Sequence, residues 1–114
     1  MSRILIVDDE PGIRESLEEY FQDEGFDVIT ANDGAQALER LASSPLPDVM
    51  VLDLRMPNLD GNAVYQYMQT DPRLAAVPVI VSTSDPAAAP PGILIMKKPI
   101  NLERLLLAVR KLCR

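Results

Sequence analysis

Apolar positions in this chain follow two rhythms, short continuous runs and stripes of helical spacing, and the two alternate from one end to the other. Ile4-Leu5-Ile6-Val7 is an unbroken, mostly β-branched run that stops at Asp8-Asp9-Glu10-Pro11. It predicts a strand buried on both faces followed by a helix start, with Pro11 suited to the first turn. Ile13, Leu17, Tyr20 and Phe21 then recur at helical spacing up to Gly25, a C-cap signal. Val28 to Ala31 predicts the second strand, Asn32-Asp33-Gly34 a break, and Ala37, Leu38, Leu41 and Ala42 a second helix ended by Ser43 to Pro47. Val49 to Leu52 predicts a third strand closing on Asp53, and Asp60-Gly61 opens a helix that carries Val64, Tyr65 and Met68. Val79 to Val81 and Ile93 to Met96 predict strands four and five, and Leu102, Leu105, Leu106, Val109 and Leu112 mark the stripe of a final helix.

Five buried strands separated by helices define an α/β class, a doubly wound five-stranded parallel sheet with helices on both faces. The fourth connection breaks the rhythm. Ser84 to Gly92 holds three prolines in nine residues, which leaves no room for an ordinary helix and predicts an irregular crossover. A length of 114 residues suits one compact domain. Cys113 is the only thiol and histidine is absent, so an internal disulfide, a Cys/His zinc cluster and Ser/His/Asp catalysis are all excluded. With 11 Lys plus Arg against 17 Asp plus Glu, the net charge of -6 predicts no direct nucleic-acid binding. The first apolar run is too short for a secretory signal and no run approaches a membrane span, so no membrane contact and a cytoplasmic, reducing location are expected.

In an open parallel sheet the functional crevice lies beyond the carboxyl ends of the strands. Strand one ends at Asp8-Asp9, strand three at Asp53, strand four at Thr83-Ser84 and strand five at Lys98-Pro99. Three carboxylates would thus meet one hydroxyl and one ammonium. Carboxylates crowded together repel and want a counter-cation, and an all-oxygen set at a shallow site suits Mg²⁺ completed by phosphate oxygens. A carboxylate can attack phosphorus to form an aspartyl phosphate, given a metal, an ammonium and a hydroxyl to take up the charge. Each residue also has a plainer reading. Asp8-Asp9-Glu10 could only cap a helix, Asp53 could be a turn residue, Lys97-Lys98 a solvated pair, and Ser82 or Ser84 the hydroxyl in place of Thr83.

Taken together, Ile4 to Pro11, Ala31-Asn32-Asp33-Gly34, Val51 to Pro57 with Asp60-Gly61, Pro78 to Thr83 and Lys98-Pro99 resemble the receiver domain of bacterial two-component response regulators, from Arg3 to Leu112. The resemblance implies a single receiver domain over residues 1–114 with the flavodoxin-like strand order 2-1-3-4-5. It implies that Asp53 accepts a phosphoryl group and that Asp8, Asp9 and Asp53, with the Arg55 carbonyl, hold Mg²⁺. Thr83 and Lys98 would contact the phosphoryl group, and the Lys98–Pro99 peptide would be cis. The implied donor is a histidine kinase or phosphotransfer protein, docking over Ile13, Arg14 and Leu17. Output would pass by protein contact to a downstream target that the residues do not name, and enzymatic turnover is not expected.

Two departures from the family pattern stand out. Thr83 to Lys98 is shorter by about two helical turns, the length of the helix that joins strands four and five in the family. Ile95 occupies the place of the switch aromatic, and a β-branched aliphatic cannot swing as a Tyr ring does. These departures motivate an alternative, a pseudo-receiver interaction module whose output is independent of phosphorylation. Arg55 and Asp85, each two residues past a site residue, are expected to pair across the site.

Overall fold

The computed structural model describes residues 2–43 and 45–113. The order is β1 (Arg3–Val7), α1 (Pro11–Asp23), β2 (Asp27–Ala31), α2 (Gly34–Ser43), β3 (Val49–Asp53), α3 (Gly61–Gln69), α4 (Pro72–Ala75), β4 (Val79–Thr83), a 3-10 turn (Pro86–Ala88), β5 (Leu94–Lys97) and α5 (Leu102–Leu112). The five strands are parallel in the order β2-β1-β3-β4-β5, the doubly wound arrangement that the alternation predicts. Of the segment expected to end α2, Ser44 lies outside the described residues.

Continuous apolar strands need cover on both faces, and the side chains divide accordingly. Leu5, Val7, Met50 and Leu52 face Ala37 and Leu41 of α2 and Val64 and Met68 of α3. Ile4, Ile6, Val49, Val51 and Ile80 face Leu17 and Phe21 of α1 and Leu105 and Val109 of α5. Each such fully buried side chain contributes roughly 1.5–3 kcal/mol relative to exposure. Burial therefore fixes the register. A one-residue slip would turn every strand inside out.

Helix ends are held locally. At the end of α1, Gly25 has φ of 91°, and the Gly25 and Phe26 N–H groups donate to the carbonyls of Gln22 and Phe21. Phe21 and Phe26 then stack edge to face at 5.3 Å, the apolar contact that accompanies such a cap. Asp60 and Asn101 cap α3 and α5 by accepting from the Ala63 and Arg104 N–H groups.

Three details differ from the sequence reading. β4 runs on through Thr83, where the apolar pattern ends at Val81, because parallel pairing of Asp53 with Ser82 carries the ladder onward. β5 is shifted by one residue, to Leu94–Lys97, because Ile93 follows directly on Gly92 with its left-handed φ of 79°. The four-residue α4 was not expected, being too short to show a period; it rests on Leu74 and a cap from Asp71. The crossover between β4 and β5 is irregular apart from the 3-10 turn, as its prolines predict.

Candidate functional site

β1, β3 and β5 bring their carboxyl ends to one place, and side-chain oxygens of Asp8, Asp9 and Asp53 lie within 4.8 Å of one another. At that spacing each pair of charges repels by about 3 kcal/mol at an effective dielectric of 20. Among the described residues one cation answers them. Lys98 Nζ lies 3.1 Å from Asp8 Oδ2 and 3.5 Å from Asp53 Oδ1, while Lys97 is exposed. The Lys98–Pro99 peptide is cis.

Asp8 is held from several sides. Oδ1 accepts from the Glu10 N–H at 2.9 Å, and the Arg14 guanidinium donates to the Asp8 carbonyl at 2.8 Å. Asp8 does not cap α1; that position is Glu10, whose side chain makes no capping bond. Asp53 is only 4% exposed. Burial and then the neighbouring Asp8 charge push its carboxyl up to about 6, against the pull of Lys98 and of the Arg55 N–H. For Lys98, burial acts to lower the pKa, but the hydrogen bond and charge of Asp8, with those of Asp53, outweigh it and raise it.

Of the three hydroxyl candidates, Thr83 and Ser84 line the cavity above these groups, and Ser82 does not. The cavity has a volume of about 530 Å³ and also takes in Asp9, Asp53, Arg55 and Lys98. Thr83 Oγ1 accepts from the Asp85 N–H at 3.0 Å, which leaves its own proton free to donate. Arg55 and Asp85 do pair, at 3.0 Å, on the solvent side. Ser82 Oγ is buried without a partner among the described residues, at a cost of about 1–3 kcal/mol if nothing relieves it.

Sequence reasoning missed the backbone approach that seats Asp53. A Cβ on Gly61 would run into the Asp53 carbonyl oxygen and come within 2.8 Å of Leu54 Cα, so only glycine lets α3 start there. Gly61 N–H donates to the Leu54 carbonyl at 2.8 Å. Gly34 is packed the same way against Leu59, and Asn58, at φ of 68°, reaches Asp33 with its amide. The Asp60-Gly61 dipeptide signals a helix start, but nothing in it reports the neighbour.

Next to the site an apolar hollow of about 470 Å³ lies between α1 and the start of α5, lined by Ile13, Leu17, Ile100 and Leu102 and sharing Lys98 and Pro99. Arg14, grouped with Ile13 and Leu17 by sequence, does not line the hollow and donates to the Asp8 carbonyl.

An acidic pocket at the carboxyl edge of a 2-1-3-4-5 sheet, with a lysine facing its carboxylates, defines the class of receiver-like signalling domains. The model of the response regulator receiver domain family matches residues 4–110, and the chain belongs to that family. It is similar to the response regulator MprA of Mycobacterium ulcerans, 36% identical over 98% of this chain and 50% of that protein. It is 34% identical, over 100% of this chain and 50% of that protein, to the DNA-binding dual master transcriptional regulator RpaA of Synechocystis. The chain thus spans about half the length of these curated relatives. Among solved structures, the receiver domain of a signal transduction histidine kinase from Syntrophus aciditrophicus superposes with a TM-score of 0.90 at 29% identity, over 99% of this chain and 90% of that one. The response regulator TrrA of Thermotoga maritima, in complex with Mg²⁺-BeF, gives 0.86 at 32% identity over 98% and 99%. Membership makes the chain a component of two-component signal transduction, a signalling domain of the phosphoacceptor kind. Among the described residues no helix is long and apolar enough to cross a membrane.

Proposed function

We propose that residues 1–114 act as one receiver domain in which Asp53 takes a phosphoryl group from the phosphohistidine of a histidine kinase or phosphotransfer protein. The observation that carries this reading is the meeting of the Asp8, Asp9 and Asp53 carboxylates within 4.8 Å of one another, opposite Lys98. An all-oxygen donor set with excess negative charge fits Mg²⁺, with Asp8, Asp9, Asp53 and the Arg55 carbonyl as its ligands. When bound, the ion would offset the charge of the carboxylates and of the phosphoryl oxygens.

The remaining work falls to the chain. An Asp53 oxygen attacks phosphorus as the bond from phosphorus to the donor's nitrogen breaks, and that nitrogen keeps the electron pair. Lys98, already between Asp8 and Asp53, takes up charge on the phosphoryl oxygens. Thr83 donates to one of them while it accepts from Asp85. The donor docks in the apolar hollow beside the site, against Ile13 and Leu17. Turnover as a phosphatase is not expected, because Arg55 stands where aspartyl phosphatases carry a second Asp.

Output then passes to a protein target through the crossover from Ser84 to Gly92, with no direct contact between this domain and nucleic acid and with the chain at work in the cytoplasm. That segment is tied to the site at Thr83–Asp85 and to the flank by Arg55–Asp85 and by the Asn62 amide on the Ala88 carbonyl. A shift of Thr83 toward the phosphoryl group pulls on all three. Hydrogen exchange of this loop is expected to change when beryllofluoride and Mg²⁺ are added; identical exchange would refute this route. A second reading, an interaction module independent of phosphorylation, draws on Ile95 at the switch position of β5. It predicts full output from Asp53→Ala.

Intact mass after incubation with Mg²⁺ and a small phosphodonor tests the main proposal. The wild type is expected to gain one phosphoryl group and Asp53→Asn none. Equal gain in both would remove Asp53 from its role.

A further inference from the structure

β4 carries a hydroxyl for which the phosphoacceptor chemistry has no use. Ser82 is 1% exposed, and its Oγ is unpartnered among the described residues. The register says where it lies. Ser82 stands opposite Asp53 on β3 and Met96 on β5, and residues aligned across parallel strands project to the same face, about 4.8 Å apart. That face is the one under α1 and α5. Val51 and Ile80, two residues earlier on their strands, pack there with Leu105 and Val109, and Met96 rests on the same cluster. Lys98, two residues past Met96, brings its ammonium over this row to Asp8 and Asp53. Ser82 therefore has apolar side chains below it and Asp53 as its polar neighbour on the adjoining strand.

Buried hydroxyls in folded proteins nearly always have a partner, so an orphan at this place points to one that another state supplies. Thr83 is not that partner, since adjacent residues of a strand project to opposite faces. Asp53 is the group whose bonding must change. Its Oδ1 has Lys98 at 3.5 Å, longer than a charge-assisted bond prefers. A phosphoryl group on Asp53 offers the ammonium more highly charged oxygens, so the carboxyl oxygen not bonded to phosphorus loses the ammonium and has, of its two lone pairs, one for the proposed Mg²⁺ and one for a hydroxyl. We infer that Ser82 is a positioning residue for the phosphorylated state, its Oγ–H donating to the second lone pair of that carboxyl oxygen of Asp53. Idle in one state and bonded in the other, the hydroxyl tilts the balance toward the loaded form. The inference rests on the proposed role of Asp53.

Beryllium trifluoride with Mg²⁺, titrated into the full chain, tests it through two matched pairs. Wild type against Ser82→Ala removes the hydroxyl, and Ser82→Thr against Ser82→Val does so at constant shape. In each pair the member without the hydroxyl is expected to bind about tenfold more weakly, the worth of one well-made buried hydrogen bond to a carbonyl oxygen. Its thermal midpoint without ligand should be unchanged or higher, because the atom deleted was unsatisfied. Equal affinity within both pairs overturns the inference, and so does a clear drop in the ligand-free midpoint of Ser82→Ala, which would mean the hydroxyl is already bonded. If bulk at this position unfolds the second pair, the first decides. A wild type that fails to bind at all brings down the reading of Asp53 as well, whereas binding without any difference within the pairs brings down Ser82 alone.

Discussion

The acidic pocket and the crossover from Ser84 to Gly92 adjoin one another yet are built by opposite means. Asp8 and Asp53 extend strands whose every residue is buried or nearly so, and Gly61 clamps the end of β3 against α3. The crossover has a single 3-10 turn with no buried residue, and what ties it down is a side-chain ion pair, one amide bond and the cap on Thr83. Rigid placement serves phosphoryl chemistry, which fails when reacting atoms drift by an ångström. A weakly held segment would suit the proposed readout, because a shallow balance can be tipped by one hydrogen bond.

The comparison breaks most visibly at Gly61. Gly61→Ala is expected to cost about 3 kcal/mol or more, since the new methyl meets backbone atoms of Asp53 and Leu54 and nothing flexible can yield. A urea titration reads this directly; a loss under about 1 kcal/mol would mean that the pocket is far less rigid than its packing implies.

A smaller effect comes from the charge stored in the pocket. The Asp53 carboxyl lies at about 6 in the folded chain against an ordinary 3.8, so the folded state holds this proton more tightly than the unfolded one. Its contribution to stability is greatest below pH 4 and declines as pH rises to about 6. With divalent cations removed, Asp53→Asn is expected to lose that part of the pH dependence and to be about 2–3 kcal/mol more stable than wild type at pH 7. Parallel pH profiles for the two proteins would contradict it.

The crossover should give the smallest change in stability and a clear one in kinetics. Arg55 and Asp85 are 73% and 43% exposed, so Asp85→Ala is expected to shift stability by less than about 0.5 kcal/mol. On the proposed function, the same change frees Arg55, which lines the cavity, from its partner, and phosphate should be lost faster from the variant. Slower or equal loss, followed by intact mass over time, would show that the pair does not shield the site.

What could be read from the sequence follows the same division. Continuous apolar runs ending in Asp8, Asp53 and Lys98 carry their meaning locally, because a strand buried on both faces has few registers and its carboxyl end must lie at the crevice. The prolines of the crossover also speak locally, through the backbone bonds they forbid. Gly61, Gly34 and Asn58 do not, since their constraint is a neighbour distant in sequence. α4 is one turn with no period to detect. Alternation along β4 tells which face Ser82 occupies, but whether its hydroxyl finds a partner depends on atoms from other strands. The bond from Arg14 to the Asp8 carbonyl was illegible for a like reason: a cation on a helix looks free until its neighbour across the site is in view.

β5 ends the sheet, and the crossover leading into it, with one 3-10 turn, carries no α-helix to lie along that edge. An open strand edge with Leu94 at 47% exposure is a template for pairing with other chains. This one is only four residues long, with Pro90 and Pro91 before it, Pro99 after it, and Lys97 on its last position. Proline offers no amide hydrogen to an incoming strand, and lysine makes close stacking of like chains unfavourable. The same prolines that replace a helix thus bracket the open margin with positions that have no amide hydrogen to give an added strand.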